Sequence, residues 1–168
     1  MNGERARQGA RPPVAEEADA VVVGARCAGS AAAIALARAG RRVVALDRAR
    51  FPSDTLSTHL LFPGALLELR RLGALDRVRE LGAPPMPRAL IGGAGLTAAA
   101  RYPPFDGADH AMCVKRVGLD AALVDTARAA GAEVRERCSV TDLVWRDGRV
   151  CGVRWRSREG EEGELRAP

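Results

Sequence analysis

Gly24, Arg26, Gly29 and Asp47 are the residues whose types and spacing could do chemistry. The first three stand in VGARCAGS, at the three fixed positions of a G-x-G-x-x-G turn with arginine in the middle place, and Asp47 follows about 20 residues on. A glycine turn that opens a helix presents free backbone N–H groups and the positive end of the helix dipole, which together can hold a pyrophosphate. An acid at the end of the following strand can accept hydrogen bonds from a ribose hydroxyl. Gly24 and Gly29 are therefore candidate pyrophosphate contacts, and Asp47 is a candidate ribose contact. Arg26 puts a Cβ where phosphate should approach closely, yet a guanidinium at a helix N-terminus can also pair with it. The plainer reading of the same spacing is an ordinary βαβ unit with a glycine turn.

Such residues need a strand, a turn, a helix and a second strand to position them, and residues 19–47 supply all four. Ala20–Val23 is a short β-branched run of the kind buried on both faces of a parallel sheet, and Gly24 breaks it. Residues 27–39 are nearly all Ala, Leu and Ile, helix formers small enough to lie close against a sheet. Gly40 supplies the stop, Arg41 and Arg42 suit the negative end of the helix, and Val43–Leu46 is the next strand.

The remaining chain predicts a set of elements around that unit. Residues 51–57 form a polar connection able to fold over the mouth of the sheet, where ligands of open α/β sheets lie. Ser57, Thr58 and His59 read on spacing alone as turn and capping residues, and their position makes them candidates beside a ligand. Pro63 opens a helix that stops at Gly73, and residues 75–81 read as another. Residues 82–102 predict two strands joined by a glycine turn, followed by a short strand at 111–114. Leu119, Leu123, Val124, Ala127 and Ala130 make the apolar face of a further helix, which Gly131 ends before a strand in AEVRER. Arg116 precedes this helix and reads locally as a solvated charge. The alternating residues of 139–157 predict a hairpin turning at Asp147 and Gly148, with an acidic turn after it. A returning strand begins at Glu164, and the sequence stops abruptly at Pro168.

Composition excludes several classes. With 47% hydrophobic and 28% charged residues over 168 positions, this is the make-up of one soluble globular domain. Residues 1–17, rich in Arg, Ala, Gly and Pro, read as a disordered tail, and residues 18–168 as the folded portion. No apolar run is long enough to span a bilayer or to serve as a signal peptide, so a cytoplasmic location is expected. The net charge of +5 comes from scattered arginines without a basic stripe interleaved with aromatics, which argues against a nucleic-acid partner. Cys27, Cys113, Cys138 and Cys151 form no C-x-x-C pair, and His59 and His110 are the only histidines, so reduced thiols and no metal site are expected.

Three stretches in fixed order resemble the N-terminal part of the FAD-dependent oxidoreductases that include aromatic-ring hydroxylases, geranylgeranyl reductases and flavin-dependent halogenases. The first is DAVVVGARCAGSAAAIALARAGRRVVALDRA, similar to that family's FAD pyrophosphate turn. The second, PSDTLSTHLLFPGALLELRRLGALDRV, is similar to the loop and helix beside the isoalloxazine ring. The third, KRVGLDAALVDTARAAGAEVRER, is similar to the segment whose arginine contacts the FAD phosphates. The resemblance implies an α/β fold: a Rossmann-like FAD-binding βαβ fold with an added β-hairpin region, truncated at its C-terminus. It places Ala28 with Gly24 and Gly29 in the pyrophosphate turn, Arg48 near the adenosine, Thr58 and His59 beside the ring, Arg116 at phosphate and the backbone of Val140 beside adenine. Arg26 in the middle position is similar to one branch of these reductase-like and hydroxylase-like proteins. The later DG and GD motifs of the family have no counterpart here, and most of a substrate domain is missing.

The implied function is that of an FAD-dependent monooxygenase or C=C reductase, or the N-terminal portion of one, with NAD(P)H reducing the flavin. The substrate would be a small apolar or aromatic molecule, and no residue is assigned as acid, base or nucleophile. A truncated, catalytically silent nucleotide- or partner-binding fragment is the alternative reading, and an NAD-dependent dehydrogenase a weaker one, against which Arg116 and its helix argue. A missing strand beside Ala20–Val23 predicts exposed apolar surface, with self-association or pairing with a missing C-terminal half.

Overall fold

The computed structural model describes residues 15–168. The expected tail up to residue 14 lies outside the described residues. Residues 15–17, the end of the stretch read as a tail, are instead a strand, β1 (Ala15–Glu17). β1 runs parallel to β12 (Glu162–Arg166), which shields backbone groups that composition alone had assigned to solvent.

The central sheet is parallel, in the order β2, β3, β9: β2 (Ala20–Val23), β3 (Val43–Leu46) and β9 (Glu133–Arg135). α1 (Cys27–Arg38) makes the crossover between β2 and β3. All four residues of β3 are buried, which explains its unbroken apolar sequence. Val43 joins a core with Ile34, Leu66, Val78 and Leu123 on the helical side. Val44 and Leu46 join a second core with Cys138, Val153 and Leu165 on the other side. Complete burial of a Val or Leu side chain stabilises by about 1.5–3 kcal/mol, so this short strand anchors both layers.

Three helices complete the first layer: α2 (Pro63–Arg71), α3 (Leu75–Arg79) and α4 (Arg116–Ala129). Arg38, in the last turn of α1, donates to the carbonyls of Arg71 and Leu72 at 2.9 and 2.8 Å, so one guanidinium serves the orphan carbonyls at the end of α2. The second layer is a four-stranded sheet in the order β1, β12, β11, β10, built on β10 (Cys138–Arg146) and β11 (Arg149–Ser157). Its hairpin turns at Asp147 and Gly148, with φ of 50° and 75°, as the dipeptide predicts.

A small antiparallel sheet pairs β4 (Leu60–Leu61) and β5 (Pro85–Met86) with β8 (Ala111–Cys113). Neither two-residue strand is long enough to leave a periodic pattern in the sequence. The predicted glycine-turn hairpin is β6 (Arg88–Gly93) with β7 (Leu96–Arg101), and it projects Leu90, Ile91 and Leu96 into solvent. β2 is an edge strand among the described residues, and Val23 at its end is 60% exposed. No helix among the described residues is long and apolar enough to cross a membrane.

Candidate dinucleotide site

The turn between β2 and α1 has two positions that only glycine fills. Gly24 has φ of +92°, a conformation L side chains rarely adopt. At Gly29 a Cβ would lie 1.7 Å from the carbonyl oxygen of Gly24 and 3.1 Å from Val22, so its absence lets the helix close on the strand. Arg26, between them, is the N-cap with φ −77° and ψ −166°, an extended conformation open to any residue. The middle glycine is thus replaced without backbone strain.

No side chain caps α1, whose first bond runs from the Ser30 N–H to the Arg26 carbonyl at 2.8 Å. The backbone donors of the first turn are therefore left for a ligand. Asp47, at the end of β3, is nearly buried. Its Oδ2 accepts the Ala25 N–H at 2.7 Å and its Oδ1 the Ala49 N–H at 2.8 Å. The carboxylate thus fixes the turn, while a carboxylate's further lone pairs can still accept from a ribose.

Gly24, Arg26, Ala28, Gly29, Asp47, Arg48 and Val140 line a single cleft of about 560 Å³, together with Cys138 and Ser139. The first seven are among the eleven residues singled out from the sequence. A second cleft of about 650 Å³ lies before β2, among Asp19, Arg42 and Arg166. It holds none of the eleven.

Arg116, Thr58 and His59 are not among the residues of the dinucleotide cleft. Arg116 opens α4 and makes a two-point ion pair one turn along, with Nε and Nη2 donating to Asp120 Oδ1 and Oδ2 at 3.0 and 3.1 Å. Asp120 is fully buried and also receives Arg26 Nη1 at 2.5 Å. One carboxylate therefore joins the arginine of the turn to the arginine of α4. Sequence reading passed over Asp120, whose signal was its i, i+4 spacing from Arg116 on a helix. The Cys27 thiol donates to Asp120 Oδ1 at 3.2 Å, and burial, then the neighbouring carboxylate, push its pKa up to about 11.

Thr58 is exposed, and His59 adopts φ of 58°. The His59 carbonyl accepts the Val114 N–H at 2.7 Å, tying this loop to the end of β8, while its Nδ1 is buried without a hydrogen-bond partner.

A parallel βαβ unit with this turn, this acid and an open cleft at the carboxyl ends of its strands defines a dinucleotide-binding domain. The particular family follows from comparison: residues 17–168 match the FAD binding domain family, and the chain belongs to it. It is 32% identical over 161 residues to squalene monooxygenase SE1 of Panax ginseng, covering 92% of this chain and 29% of that protein. It is 38% identical over 141 residues to menaquinone reductase of Mycolicibacterium smegmatis, covering 81% of this chain and 33% of that protein. Among solved structures, the myxobacterial chondrochloren halogenase CndH superposes with a TM-score of 0.84 at 29% identity, over 90% of this chain and 36% of that one. The expected family is thereby borne out, and the chain spans about a third of the length of the relatives it matches.

Proposed function

We propose that this chain binds FAD and serves as the cofactor-binding portion of a flavin-dependent monooxygenase or reductase. The observation that carries the reading is the single cleft in which the uncapped start of α1, Gly24, Gly29, Asp47 and Val140 converge. A diphosphate fits the donors of the first turn, a ribose the Asp47 carboxylate, and adenine the β10 backbone at Val140, with Arg48 at the adenosine. Thr58 and His59 are assigned to the ring of the same ligand, and Arg116 to its phosphates. Bound flavin would supply the redox step, taking electrons from NAD(P)H and passing them to oxygen or to a double bond. The chain's own residues bind and orient it. The names of two relatives, a squalene monooxygenase and a menaquinone reductase, favour an apolar small-molecule substrate.

The test is an absorbance spectrum of the purified chain before and after FAD, with titration of flavin fluorescence. A yellow protein, or saturable quenching by added FAD, supports the reading. NAD(P)H consumption with and without oxygen then separates a working enzyme from a silent binding fragment. A colourless chain that leaves FAD fluorescence unchanged overturns it.

A further inference from the structure

The Arg26 side chain does not stop at the turn it belongs to. Its Nη1 donates to Asp120 Oδ2 at 2.5 Å and to the Ser53 carbonyl at 3.4 Å. Its Nη2 donates to Ser53 Oγ at 2.9 Å and to the Asp54 carbonyl at 3.4 Å. The guanidinium plane also stands over the Phe51 ring, 5.5 Å from its centroid. Both terminal nitrogens are thus committed to the 51–54 loop and to α4. The same loop is tied at its start, where the Phe51 N–H donates to Glu136 Oε2 at 3.2 Å, and at its end through the His59 carbonyl. Between those ties, Leu56 is fully exposed and Asp54 and Thr58 are exposed. A loop with so little apolar burial has low local stability unless a side chain pins it.

The geometry points to Arg26 as a positioning residue rather than a phosphate ligand: a strut, footed on the buried Asp120, that ties the pyrophosphate turn to the loop carrying Thr58 and His59. This rests on the reading that the turn holds the ADP half of FAD. A small residue in the middle position could not make this connection, because only a long forked side chain reaches Asp120, Ser53 and Asp54 together. With Arg116 on the same carboxylate, two guanidinium groups brace one buried negative charge. The strut makes the order of the 53–58 segment depend on the turn, so the two halves of the dinucleotide meet one connected surface.

ADP and FAD distinguish the two roles, because ADP has the diphosphate but no ring to meet the loop. Arg26→Gly and Arg26→Lys are titrated with each nucleotide, and amide hydrogen exchange is followed across residues 53–58 with no ligand present. Lysine keeps the ion pair with Asp120 but cannot fork onto Ser53 and Asp54. For a strut, both variants leave ADP affinity within about twofold, weaken FAD by about tenfold, and raise exchange across 53–58 by about tenfold, as loss of charge-assisted hydrogen bonds predicts. Equal weakening of ADP and FAD with unchanged loop exchange overturns the proposal and makes Arg26 a phosphate ligand. Unchanged affinities with unchanged exchange also overturn it. If Arg26→Gly fails to fold, Arg26→Lys and Arg26→Gln carry the comparison. A parent chain that binds neither nucleotide ends the FAD reading, while the exchange measurement still decides the strut.

Discussion

The Cys27 thiol and the Asp120 carboxylate, from helices α1 and α4, are joined by a 3.2 Å hydrogen bond in which sulfur is the donor. Burial and the carboxylate both oppose the thiolate, and the pKa is pushed from 9.0 to about 11. Cys27 should therefore alkylate far more slowly at pH 8 than the exposed Cys113, read peptide by peptide by mass spectrometry. Asp120→Asn removes the negative charge, lowers the thiol pKa and speeds reaction at Cys27. The raised value also carries a sign for stability. The unfolded chain loses its thiol proton near pH 9 and the folded chain near 11, so this contribution is intact below 9 and declines as pH rises to 11. Unfolding midpoints followed across that window should fall in the parent and fall less in Cys27→Ala.

Gly29→Ala sets a Cβ against the backbone of Gly24, which cannot swing aside as a flexible side chain would. The expected cost is about 3 kcal/mol, at the upper end of ordinary overpacking, and a melting temperature lower by about 6–12 °C. Circular dichroism melts of the purified variant check it. A melt within a degree of the parent shows that α1 can shift outward and that the close approach is not needed.

Asp120→Ala leaves Arg26 and Arg116 side by side without the carboxylate between them. Removal of one partner of a buried ion pair costs about 3–5 kcal/mol, and here two arginines lose the same partner. Urea unfolding should show a lower midpoint with an unchanged slope. Asp120→Asn, which retains the shape and part of the hydrogen bonding, should fall between the two.

Leu90, Ile91 and Leu96 on the β6 and β7 hairpin are 74, 73 and 78% exposed, and Val23 on the β2 edge is 60% exposed. Apolar groups left in water at this density favour association. Sedimentation velocity should show a concentration-dependent shift to larger species, reduced by the double change Ile91→Lys with Leu96→Glu. A sharp monomer at all concentrations would falsify the expectation.

The dinucleotide turn was legible in the sequence because its determinants are local. Gly24 and Gly29 act within one turn, and Asp47 reaches that turn by way of a single βαβ unit. The hairpin at Asp147 and Gly148 was legible for the same reason, since both residues take the positive φ their types favour. Asp120 was not, because an acid four residues from an arginine on a helix ordinarily reads as a solvated pair, and the partner that ties it to the turn, Arg26, is 94 positions away. β1 was missed because Ala-Glu-Glu has no strand character by itself and forms a strand only through a partner at the other end of the chain. β4 and β5 are similarly products of pairing with β8 rather than of their own sequence.

The place of β9 bears on how the molecule assembles. β3 has β2 on one side from early in the chain, but its other neighbour is β9, with Val44 beside Glu133. During synthesis at about 5–20 residues per second, the completed βαβ unit waits several seconds for its third strand to appear. Parallel partners this remote in sequence close a large loop before any contact rewards it, which slows folding. Until then Val44 and Leu46 lack the apolar cover that Cys138, Val153 and Leu165 of the later strands provide.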